Sequence, residues 1–213
     1  MRIAAVIALA AELALAAPTK QRPEPYDVIV SVREDFPVEP VSLTHAQTRA
    51  TAMFAGANVR VGWIFRPWPL EGDNLECGSE TPMKLTVHLV RGSKGKGMGY
   101  AQPYAKRDRV IVIRYDRLDL TYTAELREAL FAHVLVHEIT HALQSVASHD
   151  ETGIMKPGWT PTEVLQMPRN PLPFTAQAIN LIHAGLEKAA RDACAARPKP
   201  DTWDIASLSV IFP

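Results

Sequence analysis

The residues of this 213-residue chain whose types and spacing best suit chemistry are His137, Glu138 and His141, within the sequence HEITH. An α-helix rises about 1.5 Å per residue with 3.6 residues per turn, so two histidines four positions apart lie on one face. Their imidazoles can converge on one Zn²⁺ ion at roughly 2.0 to 2.1 Å from each nitrogen. Glu138 lies beside that face, where its carboxylate can take a proton from water that the metal has acidified. The motif therefore predicts a hydrolytic zinc centre.

A catalytic zinc ion needs a third protein ligand and an open fourth position, and three residues are candidates. His133 lies about 12 Å along the helix axis from His141, too far for both to bind one ion. Glu163 follows a stretch rich in Pro and Gly and does not stand on an obvious second helix. His149 lies beyond the helix, and a chain that reverses after Val146 can return it to the metal. The spacing by itself leaves Glu163 and His149 open.

The motif requires a long helix, and residues 123–146 contain no Gly or Pro and have apolar residues at helical spacing. Other apolar patterns predict strands at 26–32, 59–65, 84–90 and 109–115, a helix at 43–55 with Ser42 as its N-cap, and a final helix at about 175–195. Residues 148–173 are rich in Pro and Gly and are expected to be mostly irregular. The arginines of the last strand region are interpreted as a solvated face: Arg107, Arg109, Arg114 and Arg117.

The bulk composition is that of an ordinary globular protein, with 47% hydrophobic and 22% charged residues. Lys plus Arg number 23 and Asp plus Glu number 23, so the formal net charge is zero. Such a balance gives no support to binding of nucleic acid or of an anionic membrane surface. We therefore expect the function to reside in a local site.

The N terminus predicts export. Arg2 is followed by a short apolar run and then by Ala14 and Ala16, which satisfy the small-x-small rule for cleavage. We expect residues 1–16 to be a signal peptide cleaved after Ala16, and the protein to be secreted or periplasmic. The apolar run is too short to span a bilayer, and no membrane span is predicted in the mature chain, 17–213. Cys77 and Cys194 are the two cysteines, and in an oxidising compartment they predict one disulfide.

The sequence after His149 adds a second signature. Residues 153–159 (GIMKPGW) suit a tight turn around Met155, and methionine is a soft side chain able to pack under a metal site. A histidine followed closely by such a Met-turn resembles the metzincin clan of zinc endopeptidases. More narrowly, the chain is similar to exported bacterial metzincin-like proteins with an elongated HExxH(x)7H motif. The resemblance extends to residues 97–101, 115–118 and 174–179.

The resemblance implies a specific site: one zinc ion per chain held by His137, His141 and His149, Glu138 as the general base, and Met155 as the residue of the Met-turn. It also implies that Gly99, Tyr100 and Ala101 form an edge strand that faces the substrate. The chain departs from the clan at two points. No glycine lies between His141 and His149, where the clan usually turns its backbone, and Pro157 stands two residues after Met155, where some metzincins have a tyrosine that acts as a fifth ligand.

The implied fold is α+β and metzincin-like, with a twisted, mostly parallel sheet of about five strands and two helices. We expect a single metalloprotease-like domain over 17–213. Its upper lobe, 17–147, carries the helix with the zinc motif. Its small irregular lower lobe, 148–213, carries the Met-turn and the C-terminal helix.

The expected function is that of a secreted, monomeric zinc metallopeptidase, a hydrolase acting on peptide or protein substrates. Two alternatives stay open: a catalytically silent binding protein that keeps zinc as a structural staple, and a zinc hydrolase of a non-peptide amide. Glu138 argues against the first, because a structural zinc site has no need of that carboxylate and usually has four protein ligands. The sequence does not exclude the second.

Overall fold

A computed structural model describes residues 24–35, 37–64, 82–92, 97–104, 109–118 and 123–195. The predicted signal peptide, 1–16, and Cys77 lie outside these residues. Within them the elements follow in the order β1 (Tyr26–Glu34), α1 (Pro40–Ala55), β2 (Val59–Ile64), β3 (Met83–Val90), β4 (Gly99–Ala101), β5 (Val110–Arg114), a turn of 3-10 helix (Tyr115–Arg117), α2 (Ala124–Gln144), α3 (Pro161–Gln166) and α4 (Ala176–Ala195).

The strands of the described residues form one five-stranded sheet in the order β2-β1-β3-β5-β4. All neighbours are parallel except β4, which pairs antiparallel with β5 at the edge of the sheet. Alternate residues of β1, namely Val28, Val30 and Val32, are buried, as period-2 alternation requires when one face of a sheet meets the core. The mostly parallel sheet of an α+β fold is confirmed.

The helices cover the apolar face of this sheet. α1 and α2 pack on each other, α1 also packs on β2, and α2 also packs on β4 and β5. α4 packs on the end of α2 through Gly185, where an added Cβ would overlap the carbonyl oxygen of Leu143. α2 is consequently buried along nearly its whole length, and Leu135 and Ile139 are 0% exposed. The predicted zinc motif thus stands on a largely buried helix.

One local prediction, that of the N-cap of α1, is wrong. α1 begins at Pro40 with Glu39 as its N-cap, so Ser42 is not the N-cap. Proline is pre-organised for the first helical position, and the Ser42 hydroxyl instead lies 3.2 Å from carboxylate oxygens of Glu39 and Glu128. Residues 148–173 are mostly irregular, as expected, and contain one short helix, α3, which begins with a capping box between Thr160 and Glu163.

Among the described residues no helix has the length and apolar character needed to cross a membrane. The division of the chain into lobes at 147/148 stays a prediction, and so does cleavage after Ala16.

Candidate metal centre

The centre of the candidate site is the second half of α2. The N-cap of the helix is Thr123, whose side-chain oxygen accepts a hydrogen bond from the backbone N–H of Leu126. His137, Glu138 and His141 lie in its later turns, and Glu138 and His141 are only 8% and 7% exposed. Two ionisable side chains therefore stand in a largely buried environment.

His137 and His141 face each other across one helical turn. Their Nε2 atoms are 3.1 Å apart, and their rings are nearly perpendicular with centroids 4.7 Å apart. Two nitrogens bound tetrahedrally to one Zn²⁺ ion at the usual bond length would be separated by about 3.3 Å. The helical spacing therefore produces the nitrogen pair that the sequence predicted.

His149 joins this pair from outside the helix. Its ring centroid is 5.3 Å from that of His137 and 4.8 Å from that of His141. One ligand atom from each of the three histidines lies within 4.8 Å of the other two. Among the described residues this is the only group of three or more His, Cys, Asp or Glu side chains that is suited to a metal ion.

His149 is carried by residues 145–159, the return segment, in which the chain comes back to the helix after α2 ends. This segment starts at Ser145, which ends α2 in the left-handed conformation with φ 56° and ψ 25°. The guanidinium of Arg109 donates to the carbonyl of Ala142 and, at 2.8 Å, to the Ser145 hydroxyl. A non-glycine residue pays about 1 to 2 kcal/mol for this backbone conformation. The chain therefore reverses without glycine, at a serine that Arg109 ties to the helix end.

The turn around Met155, which the sequence predicts to be a Met-turn, packs the return segment against the helix. Gly153 has φ 75°, and an added Cβ would overlap the carbonyl oxygen of Pro173. The carbonyl of Ile154 accepts a hydrogen bond from Nδ1 of His137 at 2.9 Å. Donation from Nδ1 leaves the Nε2 lone pair of His137 available to a metal. Met155 is 1% exposed and belongs to the same apolar core as α2.

Burial controls the protonation of the site. It lowers the pKa of His141 to about 4 and also lowers the pKa of His137, so both imidazoles are neutral at pH 7. Burial raises the pKa of Glu138 to about 7, and the positive charge of Arg114 opposes that rise. Neutral imidazole is the form that binds metals, and a bound cation would favour the ionised form of the nearby carboxylate. The donor set therefore fits a divalent ion such as zinc.

The histidines open onto a cleft of about 360 Å³. Its walls combine the metal-binding candidates with the predicted edge strand, and they include His137, Glu138, His141, His149, Gly99, Tyr100, Ala101, Val134, Pro157 and Trp159. The structure thus brings β4 and the zinc motif to the same cavity. Tyr100 is 43% exposed on β4, so its ring is accessible from solvent.

The other two candidate ligands, His133 and Glu163, have different partners. Nδ1 of His133 donates to the carbonyl of Ala129, and its Nε2 accepts from the backbone N–H of Leu172, so this neutral histidine ties α2 to the segment before α4. Glu163 forms an ion pair with Lys156 at 2.7 Å and caps α3. The Lys156 ammonium is the main reason that the pKa of Glu163 falls to about 2. Neither side chain belongs to the histidine group.

The interpretation of the arginines as a solvated face is wrong for Arg114, which is 5% exposed. Its guanidinium lies over the ring of Tyr100 and 3.5 Å from the carbonyl oxygens of Gly97 and Gly99. The available signal was its position directly after the apolar run of β5, whose Ile111, Val112 and Ile113 are buried on both faces of the strand. Alternation alone does not reveal a strand with two covered faces.

Cys194 lies in the last turn of α4 and is not a free thiol. Because Cys77 lies outside the described residues, the disulfide between the two stays a prediction.

No protein-family model matches the chain, and no curated protein matches it. Among solved structures, the chain is similar to archaemetzincin from Methanopyrus kandleri, with 16% identity and a TM-score of 0.48 over 76% of this chain and 96% of that one. It is also similar to myroilysin, with 10% identity and a TM-score of 0.42 over 79% and 86% of the two chains. A second structure of myroilysin has 12% identity and a TM-score of 0.37 over 75% and 67%. We base the function on the histidine group and its surroundings.

Proposed function

We propose that this protein is an exported zinc-dependent endopeptidase. The observation that carries the proposal is the group of three histidine nitrogens within 4.8 Å of one another, in a cleft that also contains the buried Glu138. Three neutral imidazoles suit Zn²⁺, and three protein ligands leave the fourth position that a catalytic ion requires. His137, His141 and His149 would hold one ion per chain, with Met155 as the residue of the Met-turn.

When bound, zinc supplies Lewis acidity that makes water nucleophilic near neutral pH. Glu138 is the general base in this proposal, taking the proton of the attacking water and delivering it to the leaving amine of the cleaved bond. Its burial and its place in the same cleft support this role. Replacing the Glu138 carboxylate by a group that cannot accept the proton should lower the rate of hydrolysis by a factor of about 100 to 10,000.

A peptide substrate is favoured by the edge strand. Among the described strands, β4 is the last of the sheet and pairs only with β5, and in this proposal an extended substrate chain pairs with its other edge. Peptides bind exposed strand edges through backbone hydrogen bonds. Gly99, Tyr100 and Ala101 would provide this edge beside the histidines. This favours a peptide bond over a non-peptide amide as the substrate.

Export completes the proposal, with residues 1–16 as the signal peptide and Cys77 bridged to Cys194 in the mature, monomeric chain. A secreted or periplasmic location follows from that leader.

The test combines metal analysis of purified mature protein with cleavage of an unfolded protein, with and without a chelator. We expect about one zinc per chain, cleavage that the chelator stops, and retained zinc without cleavage in Glu138→Gln. His88→Ala is the matched control, since His88 lies on β3 outside the histidine group. Absence of zinc overturns the metal site, and substantial turnover by Glu138→Gln assigns the base elsewhere. Zinc without any cleavage of protein overturns the endopeptidase and leaves the binding protein and the hydrolase of a non-peptide amide.

A further inference from the structure

Gly99 on β4 is in close contact with Glu138 on α2. A Cβ built on Gly99 would lie 2.7 Å from Cγ of Glu138 and 2.9 Å from its Oε1, closer than real Cβ atoms approach other heavy atoms. The backbone at Gly99 is not in the left-handed region, so its conformation does not demand glycine. The space taken by the Glu138 side chain is what excludes a larger residue at this position.

The strand has little freedom to move away from this contact. Gly99 is opposite Ile113 in the β4–β5 ladder, and the backbone N–H of Arg114 donates to the carbonyl of Met98 at 2.7 Å. The buried guanidinium of Arg114 also lies 3.5 Å from the carbonyl oxygens of Gly97 and Gly99. β5 and Arg114 thus hold β4 along one edge, while Glu138 lies against the face from which a side chain at position 99 would project.

The helix is equally restrained. Next to Glu138, Ile139 is 0% exposed, and Thr140 is 0% exposed one residue later. Close-packed cores resist backbone shifts, whereas the outer atoms of a glutamate can change rotamer at modest cost. An added methyl group at position 99 would therefore displace the Glu138 carboxylate more readily than either backbone.

We propose that Gly99 is a positioning residue: the missing side chain leaves the slot between β4 and α2 that determines where the Glu138 carboxylate lies. This inference rests on the proposed function, in which Glu138 is the general base. A displacement of about 1 Å in a reacting group can cost roughly 100-fold in rate. In this inference Gly99 leaves space for the Glu138 carboxylate. The proposed pairing of β4 with a substrate is a separate role of the same strand.

The first experiment compares Gly99→Ala with Gly62→Ala in the zinc-loaded protein. Gly62 is the matched control, because it is a strand glycine whose added Cβ would meet only Ile29, at 4.0 Å. For Gly99→Ala we expect kcat to fall about 10- to 100-fold, KM to change less than about threefold, and bound zinc to stay the same. An unchanged kcat, or a loss confined to KM or to zinc content, overturns the inference.

The second experiment needs no activity. Thermal unfolding is compared for Gly99→Ala in the wild-type background and in a Glu138→Ala background, where the crowding atoms are absent. We expect the midpoint to fall by about 3 °C in the first background and by less than about 1 °C in the second. Equal shifts overturn the inference and leave the proposed function intact. A larger midpoint shift in the wild-type background than in the Glu138→Ala background, in a protein that cleaves no substrate, supports the contact between Gly99 and Glu138 and overturns the proposed function.

Discussion

Helix α2 and the return segment (145–159) contribute to one site by different physical means. α2 holds His137 and His141 at positions i and i+4, a relation that any regular helix would maintain. The return segment holds His149 through contacts with residues distant in sequence, since Arg109 binds its first residue and Pro173 receives a hydrogen bond from Ile154. One of the three pairwise distances in the histidine group, that between His137 and His141, is set locally, and the two distances to His149 depend on tertiary packing.

The two parts of the site differ in how strongly substitutions should disturb them. The two histidines of α2 are supported by a long, buried helix. Substitutions in other elements should hardly disturb this helix. His149 is exposed and depends on a left-handed serine, Ser145, and on a left-handed glycine, Gly153. We therefore expect substitutions in the return segment to separate metal binding from the integrity of the rest of the fold.

The largest effect is expected for the third ligand. His149→Ala should weaken zinc binding by about 100-fold or more, because two histidines alone leave the ion with one protein ligand fewer. Glu163→Ala should leave zinc affinity unchanged, since Glu163 pairs with Lys156 and lies outside the histidine group. Competition with a chromophoric chelator measures both variants. If Glu163→Ala loses the metal and His149→Ala keeps it, the assignment of the ligands is reversed.

The next effect concerns the Met-turn. Gly153→Ala should lower the free energy of unfolding by about 2 kcal/mol, because alanine is strained at φ 75° and its methyl group would overlap the Pro173 carbonyl. It should also weaken zinc binding, since the carbonyl of the next residue, Ile154, orients His137. Denaturant unfolding checks the first expectation. Gly158→Ala is the control, because its added Cβ meets nothing within 4 Å, and equal losses for both glycines would contradict the account.

A smaller effect tests the reversal at Ser145. Ser145→Gly and Ser145→Ala both remove the hydroxyl that Arg109 binds, but only alanine is strained in the left-handed backbone conformation. We therefore expect Ser145→Gly to be more stable than Ser145→Ala by about 1 kcal/mol. The comparison is made from the midpoints and slopes of urea unfolding curves. Identical stabilities would mean that position 145 leaves the left-handed region when it is substituted.

The smallest effect is the pH dependence of the ion pair between Lys156 and Glu163. The pKa of Glu163 is lowered from 4.5 to about 2 by Lys156, so the ionised form is favoured in the folded chain. A lowered carboxyl pKa contributes stability above pH 4.5 that is lost as the pH falls towards 2. Wild-type protein should therefore be more stable than Glu163→Gln at neutral pH, and the difference should close over that interval in pH-dependent unfolding. A difference that stays constant down to pH 2 would assign the effect of the substitution to another cause.

Local sequence patterns determined much of the framework. The strands and the two long helices lie close to the predicted ranges, and α2 spans Ala124–Gln144 inside the predicted 123–146. Helical and strand periodicities follow from backbone geometry, so they can be read from neighbouring residues alone. The pairing of His137 with His141 belongs to the same class, as does the capping box of α3, whose Thr160 and Glu163 were an available but unused signal.

The tertiary structure alone shows which distant segments meet at the site. The spacing left His149 and Glu163 open, and a reversal at Ser145, which Arg109 contacts across 36 positions of sequence, brings His149 beside His137 and His141. The burial of Arg114 and the contact of Gly99 with Glu138 likewise join elements that are distant in the chain. Periodicity reports which face of an element is apolar, but not which other element covers it. Packing between distant segments therefore determined where the return segment and the edge strand meet the helix that the sequence itself had identified.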